Sequence, residues 1–160
     1  MEHRKVSGLL IGAGTLATLG GAGLFLLYAP MVANECREMY PKLAFLFWPG
    51  LIYLWIIAAF YCAAMAEYFR VCVRIGRDQS FCKENAHSLE RIALCMNIAG
   101  GLWVLLSFMP GLIWGIAIGP VFLIFLLAAA ASFALGILAW ALGKLLSRAV
   151  KLKEENDLTV

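Results

Sequence analysis

Charged and neutral residues are segregated along this chain into long blocks. Residues 92–143 form an uninterrupted run of 52 without one Asp, Glu, Lys, Arg or His, and residues 6–34 and 43–66 form two shorter runs. About 20 apolar residues are enough for a helix to cross the ~30 Å hydrocarbon core of a bilayer. The pattern therefore predicts four transmembrane helices, two of them in the longest run.

Prolines at the edges of these runs set the predicted boundaries. Because proline interrupts a helix, we expect the first span to end before Pro30 and the third to end at the Pro110–Gly111 pair, with a kink near Pro120 in the fourth. The prediction is a single all-α membrane domain over residues 1–160, a four-helix bundle. Its spans are about 6–29, 43–66, 92–109 and 113–143, with a central loop at 67–91 and a tail at 144–160.

Composition supports a protein that lies mostly in lipid. Hydrophobic residues make up 63% of the chain and charged residues 14%, against roughly 25% charged in soluble domains. Four spans leave too little chain for an independent soluble domain. The first run is also longer than the 7–15 apolar residues of a cleaved signal peptide, so we expect it to be retained.

The basic residues predict the orientation. Of the 13 Lys and Arg residues, 11 lie before the first span, in the central loop or after the fourth span, and only Arg37 and Lys42 lie elsewhere. The positive-inside rule then predicts that both termini and the central loop lie in the cytoplasm. The external connections are too short for a receptor domain.

The residues offer little for catalysis. Neither histidine lies in a span, no Cys-x-x-Cys or His-Glu-x-x-His motif occurs, and the spans lack the ionisable group that pumps bury. The sequence therefore predicts no catalytic residue, no metal site, no cofactor and no enzymatic activity. Asn97, Ser107 and Ser132 are polar residues within spans, and they leave open a small transport or channel subunit.

Small residues recur at helical spacing in the first and last spans, where they allow close helix packing. Packing inside one bundle is the favoured interpretation, and a homo-oligomer face is the alternative. The predicted packing residues are Gly8, Gly12, Gly14, Asn97, Gly115, Gly119, Ser132 and Gly136.

The most informative polar surface lies on the predicted cytoplasmic side. Arg70, Arg74 and Arg77 follow the spacing of one helix face leaving the second span. They suit anionic lipid headgroups, or an acidic partner, or the carboxylates of the tail folding back. After a turn, Phe81 and Asn85 open a second helix whose face leads into the third span.

Two segments carry a family resemblance. Residues 74–92, which include Arg74-Ile-Gly-Arg-Asp-Gln-Ser-Phe81, and the terminal residues 152–160 resemble the central motif and closing signature of the YoaS-like family, bacterial four-span membrane proteins of unknown function. The resemblance extends over essentially the whole chain. The matching motif residues are Phe81, Asn85, Leu89 and Ile92 in the loop and Glu155, Asn156, Asp157 and Leu158 in the tail.

The resemblance implies no established activity. Members are often encoded beside a small helix-turn-helix regulator, which implies a membrane partner for a transcription regulator. The leading hypothesis is thus a non-enzymatic sensor or anchor that binds a cytoplasmic regulator, with no direct contact to nucleic acid. A transport subunit and an immunity protein against a membrane-active peptide are the alternatives. The predicted contact residues are Arg70, Arg74, Arg77, Phe81, Asn85, Leu89, Glu155, Asn156, Asp157 and Leu158.

Overall fold

The protein is described by a computed structural model that covers residues 2–39, 41–77, 79, 82–114 and 119–157. Three predicted site residues, Phe81, Gly115 and Leu158, lie outside this range. Within it the chain is helical and contains no strand. The helices are α1 Glu2–Gly23, a π-helical turn Leu24–Tyr28, α2 Ala29–Met39, a 3₁₀ helix Pro41–Leu46, α3 Phe47–Gly76, α4 Lys83–Trp114 and α5 Gly119–Asp157.

Among the described residues, four helical stretches are long and apolar enough to cross a membrane, which confirms the predicted all-α, four-helix membrane architecture. The first stretch joins α1, the π turn and much of α2, and the others lie within or around α3, α4 and α5. These stretches are Lys5–Glu35, Ala44–Gly76, Lys83–Met109 and Phe122–Asn156. The interval 67–91 is mostly helix, because α3 runs on to Gly76 and α4 begins at Lys83.

The prediction that Pro30 ends the first helix is wrong. The chain stays helical through Pro30 to Met39, and the backbone N–H of Ala29 donates to the carbonyl of Leu24, five residues earlier. A proline ring clashes with the carbonyl four residues before it, here that of Leu26. The π turn contains Leu26 and replaces the normal α-helical spacing at the point where Pro30 would disrupt it.

The prediction for Pro110 also needs correction. The expected stop at Pro110–Gly111 is wrong, because α4 continues to Trp114, and the fourth helix begins at Gly119 rather than at residue 113. Membrane helices tolerate an internal proline because local adjustments satisfy the freed carbonyl. The predicted kink near Pro120 stays a prediction, because residues 115–118 before it lie outside the described range.

The helices pack in chain order, α1 on α3, α3 on α4 and α4 on α5, and the most extensive interface is that between α4 and α5. Along this interface α5 buries residues that alternate at three and four positions, which keeps them on one face. They are Ala129, Ser132, Gly136, Ala139 and Gly143. A Cβ atom at Gly136 would lie 2.6 Å from Asn97 Oδ1, so the predicted packing residues Asn97 and Gly136 meet here.

A directed series of hydrogen bonds joins three helices at the centre of the protein. Trp103 Nε1 on α4 donates to Tyr61 Oη on α3 (3.0 Å), which lies 2.5 Å from Ser132 Oγ on α5. Ser132 Oγ donates in turn to the carbonyl of Ala128 (2.7 Å). The Ser132 hydroxyl therefore accepts from Tyr61, and each hydroxyl accepts one bond and donates one.

Packing of α1 depends on fewer small residues than predicted. Gly14 faces α3, where its Cβ would lie 2.6 Å from the ring of Tyr68, and Tyr68 Oη donates to the carbonyl of Leu10 (3.0 Å). A Cβ at Gly8 or Gly12 would meet nothing within 4 Å. The favoured interpretation that these two glycines pack inside the bundle is therefore wrong, because α1 turns that face away from α3. Their role in a homo-oligomer stays a prediction.

We expect Gly136→Val to lower the free energy of unfolding by about 1–3 kcal/mol, the usual cost of overpacking a close contact. The new side chain would occupy the space of the Asn97 carboxamide. Gly101→Val is the matched control, because a Cβ at Gly101 meets nothing within 4 Å. Thermal unfolding in detergent measures both variants, and equal melting temperatures for the two would contradict the packing of Asn97 on Gly136.

Candidate functional site

The start of α1, the end of α3, the start of α4 and the end of α5 meet at one end of the protein. Ser7 Oγ near the start of α1 donates to the carbonyl of Cys72 near the end of α3 (2.8 Å). Lys83 at the start of α4 lies 2.8 Å from Glu154 in the last turns of α5. Both ends of the described chain and the α3–α4 connection therefore share one side, as the distribution of basic residues predicts. That this side faces the cytoplasm stays a prediction.

A buried carboxylate organises this end. Glu67 lies on α3 directly after the charge-free run, and its side chain is only 10% exposed. Its Oε1 accepts hydrogen bonds from Arg70 Nη1 (2.6 Å) and Arg91 Nη1 (3.1 Å), and its Oε2 accepts one from Ser88 Oγ (2.9 Å). A buried carboxylate needs such compensation, because an unpaired charge is costly to remove from water. Glu67 thus joins α3 to α4.

Local helix geometry explains why these residues meet. Glu67 and Arg70 are three residues apart on α3, and Ser88 and Arg91 are three apart on α4, so each pair lies on one helix face. Few residues separate Gly76 from Lys83, and α3 and α4 pack against each other. The two faces are therefore brought opposite one another.

A second group of hydrogen bonds lies where α3 ends and α4 begins. Asn85, which is 1% exposed, donates through Nδ2 to the carbonyl of Gln79 (2.9 Å). Arg74 Nη1 donates to Ser88 Oγ (3.1 Å) and lies 3.4 Å from Asn85 Oδ1. The backbone N–H groups of Arg77 and Gln79 both donate to the Arg74 carbonyl. Asn85 therefore bonds α4 to Gln79 and is not exposed for contact with a partner.

The other predicted contact residues that the structure describes lie on or next to three different helices. Arg70 and Arg74 lie on α3, and Arg77 follows its last residue. Leu89 on α4 is half-buried beside Gly143, whose Cβ would lie 3.4 Å from Leu89 Cβ. The tail residues Glu155 and Asn156 belong to α5, which ends at Asp157.

The hypothesis that tail carboxylates fold back on the arginines of α3 is not supported by these contacts. Glu154 pairs with Lys83, and Glu155 lies 3.9 Å from Lys151 of its own helix. The reason is that α5 continues as one helix along α4, with Val150 buried. Of the described tail carboxylates, Glu154 therefore lies beside α4.

Sequence reasoning missed the acceptor in this network. Glu67, Ser88 and Arg91 were not among the predicted site residues, although Glu67 and Arg70 show the three-residue spacing of a helical ion pair. That spacing was the available signal. The partners on α4 could not be found from spacing alone, because they depend on how α3 and α4 are aligned.

The polar residues of the spans have internal roles. Ser107 Oγ donates to the Trp103 carbonyl (2.8 Å), Ser132 belongs to the hydrogen-bond series with Tyr61, and Asn97 lies against Gly136. Every buried polar side-chain atom in the described part of the chain has a hydrogen-bond partner. Across the same residues, no group of three or more His, Cys, Asp or Glu side chains is arranged to hold a metal ion.

Removing the central carboxylate should destabilise the protein. Glu67→Ala leaves Arg70, Arg91 and Ser88 without their shared acceptor, and loss of one partner of a buried ion pair costs about 3–5 kcal/mol. Since both arginine side chains are more than half exposed to solvent, we expect a smaller loss, on the order of 1–3 kcal/mol. Glu155→Ala, in an exposed pair, serves as the control and should change the melting temperature little. A melting temperature for Glu67→Ala equal to that of the control would argue against the network.

Comparison with known proteins places the chain in a family. The sequence profile of DUF2975, a family of proteins of unknown function, matches residues 31–160. The uncharacterized membrane protein YoaS of Bacillus subtilis (strain 168) is 30% identical over 166 residues, which cover 98% of this chain and 94% of YoaS. No solved structure matches the chain significantly. The resemblance to the YoaS-like family is thus confirmed, and the chain belongs to the DUF2975 family of proteins of unknown function.

Proposed function

We propose that this protein is a non-enzymatic membrane anchor or sensor that binds a cytoplasmic regulator through the projecting end of α5. The observation that carries the proposal is the length of α5, which continues as one helix for 14 residues beyond the last charge-free position, Gly143, to Asp157. At 1.5 Å per residue, this extension reaches about 21 Å past the predicted span.

Contacts with α4 support the extension as an ordered surface. Lys144 lies 3.0 Å from Glu90, and Lys83 lies 2.8 Å from Glu154, so ion pairs join the two helices at both ends of the extension. Gly143 lets the helices approach closely. Exposed pairs contribute only about 0–1 kcal/mol each, so these contacts align α5 without preventing its adjustment to a partner.

The outer surface of the extension combines apolar and cationic residues. Leu145 and Leu152 are 62% and 66% exposed, and their separation of seven residues puts them on one face of the helix. Arg148 and Lys151 lie on the adjoining surface and are exposed as well. Helical surfaces with apolar anchors at this spacing are a common means of binding a protein groove.

The class of partner rests on the family resemblance and on the predicted orientation. A regulator of the helix-turn-helix type would meet this extension in the cytoplasm, and the protein itself would not contact nucleic acid. Transport through the bundle is less favoured, since Asn97, Ser107 and Ser132 are each engaged inside the protein.

The proposal can be tested with the purified protein in nanodiscs and the helix-turn-helix regulator of the same host that is encoded nearest its gene. We expect binding, and we expect the double variant Leu145→Ala/Leu152→Ala to weaken it by about tenfold or more, because each leucine would lose buried contact area. Surface-based interferometry measures the dissociation constants.

The matched control is Leu135→Ala/Leu138→Ala, which removes two leucines of similar exposure within the predicted span. This control should bind like the unmodified protein. If the regulator does not bind the intact protein, or if both double variants bind equally well, the proposal is wrong.

A further inference from the structure

We propose that Arg70 and Arg91, held together by Glu67, bind the phosphate group of an anionic phospholipid. The site lies on α3 and α4, away from the extension of α5, so the inference does not depend on the proposed function. It rests on the spacing of two guanidinium groups, on their unbalanced charge and on their depth along the helices.

The spacing is set by a shared acceptor. Arg70 Nη1 lies 2.6 Å and Arg91 Nη1 lies 3.1 Å from the same oxygen, Glu67 Oε1. The two nitrogens therefore lie no more than 5.7 Å apart, the total of the two distances. Two arginines would repel each other at this separation without the carboxylate between them. Glu67 is thus a positioning residue that holds two planar donor groups side by side.

The positive charge of this network is only partly balanced. Among the described residues, Arg70 and Arg91 contribute two positive charges, and Glu67, which accepts from both, contributes one negative charge. Arg74 has a second carboxylate nearby, that of Glu84. The side chains of Arg70 and Arg91 are 58% and 66% exposed, and each guanidinium carries five N–H donors. The donors beyond those given to Glu67 can form the bidentate hydrogen bonds that guanidinium groups make with phosphate.

The depth of the site points to a lipid rather than a soluble anion. Twenty residues separate Phe47, the first residue of α3, from Glu67. At 1.5 Å per residue this is about 30 Å, the thickness of the hydrocarbon core. With exposed Trp48 at one interface, where tryptophan is commonly found, Arg70 lies near the headgroups of the opposite leaflet. The uncompensated charge then favours a lipid with net negative charge over a zwitterionic one.

Lys144 and Lys151 provide a matched contrast at the same end of the protein. Each lies near a carboxylate of its own, Glu90 at 3.0 Å and Glu155 at 3.9 Å, so their charges are locally balanced. Removing either pair of cations changes the net charge of the protein by two. Only the arginine pair should affect a specific phosphate site.

The test is native mass spectrometry of the detergent-solubilised protein with phosphatidylglycerol or with phosphatidylcholine. We expect the unmodified protein to retain phosphatidylglycerol preferentially, and Arg70→Gln/Arg91→Gln to reduce this retention by about tenfold or more. Lys144→Gln/Lys151→Gln should reduce it less than about twofold. Equal losses in the two double variants would mean general surface attraction and would overturn the proposal.

Two further measurements keep the test decisive. Arg70→Lys/Arg91→Lys preserves the charge and an ion pair with Glu67 but removes the planar donors, so it should lower the retention of phosphatidylglycerol. Because its ion pair is kept, this variant still tests the site if the glutamine variant fails to fold. Full retention in the lysine variant would overturn the guanidinium site. Inorganic phosphate at millimolar concentration should neither displace the lipid nor raise the melting temperature. If it does both, the site binds a free anion and the lipid proposal is wrong.

Discussion

Close approach between α4 and α5 is the contact on which the rest of the architecture depends. An apolar side chain is as favourably placed in lipid as against a neighbouring helix, so the burial of leucine contributes little to helix association. Close packing of the helix backbones must therefore stabilise the bundle. The α5 face made of Ala129, Ser132, Gly136, Ala139 and Gly143 provides that packing. With α5 on one side of it, α4 offers its remaining surface to α3, and α3 in turn receives α1.

The polar contacts between helices differ in charge according to their depth. At the centre, the series from Trp103 through Tyr61 to Ser132 is neutral and joins α3, α4 and α5. At one end, Glu67 joins α3 to α4 with two guanidinium groups. A charged side chain is costly in the hydrocarbon and far less so near the headgroups. Glu67 and Arg91 directly border the charge-free runs, a position that suits an ionic contact because water and lipid headgroups would help to compensate it.

The sequence predicted the membrane class and the number of spans, since both follow from the length of neutral runs. It did not predict the helix ends, because the helices continue past Pro30 and Pro110. A membrane helix tolerates such internal prolines. Small-residue spacing did not show which glycines pack. Gly14 and Gly136 face a neighbouring helix, whereas Gly8 and Gly12 do not, and the difference depends on helix rotation. The basic residues were recognised, but their acceptor Glu67 required the alignment of α3 against α4.

The charged end combines a firmly bonded part with an adjustable one. Between α3 and α4, Glu67 and Asn85 are buried and bonded to several groups, so displacement of either would leave polar atoms unsatisfied. Between α4 and α5, the Lys83–Glu154 and Lys144–Glu90 pairs are exposed and therefore weak. The end of α5 would thus adapt to the proposed protein partner while the arginines of α3 and α4 keep their spacing. A lipid on the arginines and a regulator on α5 would then occupy different surfaces, and neither would have to leave for the other to bind.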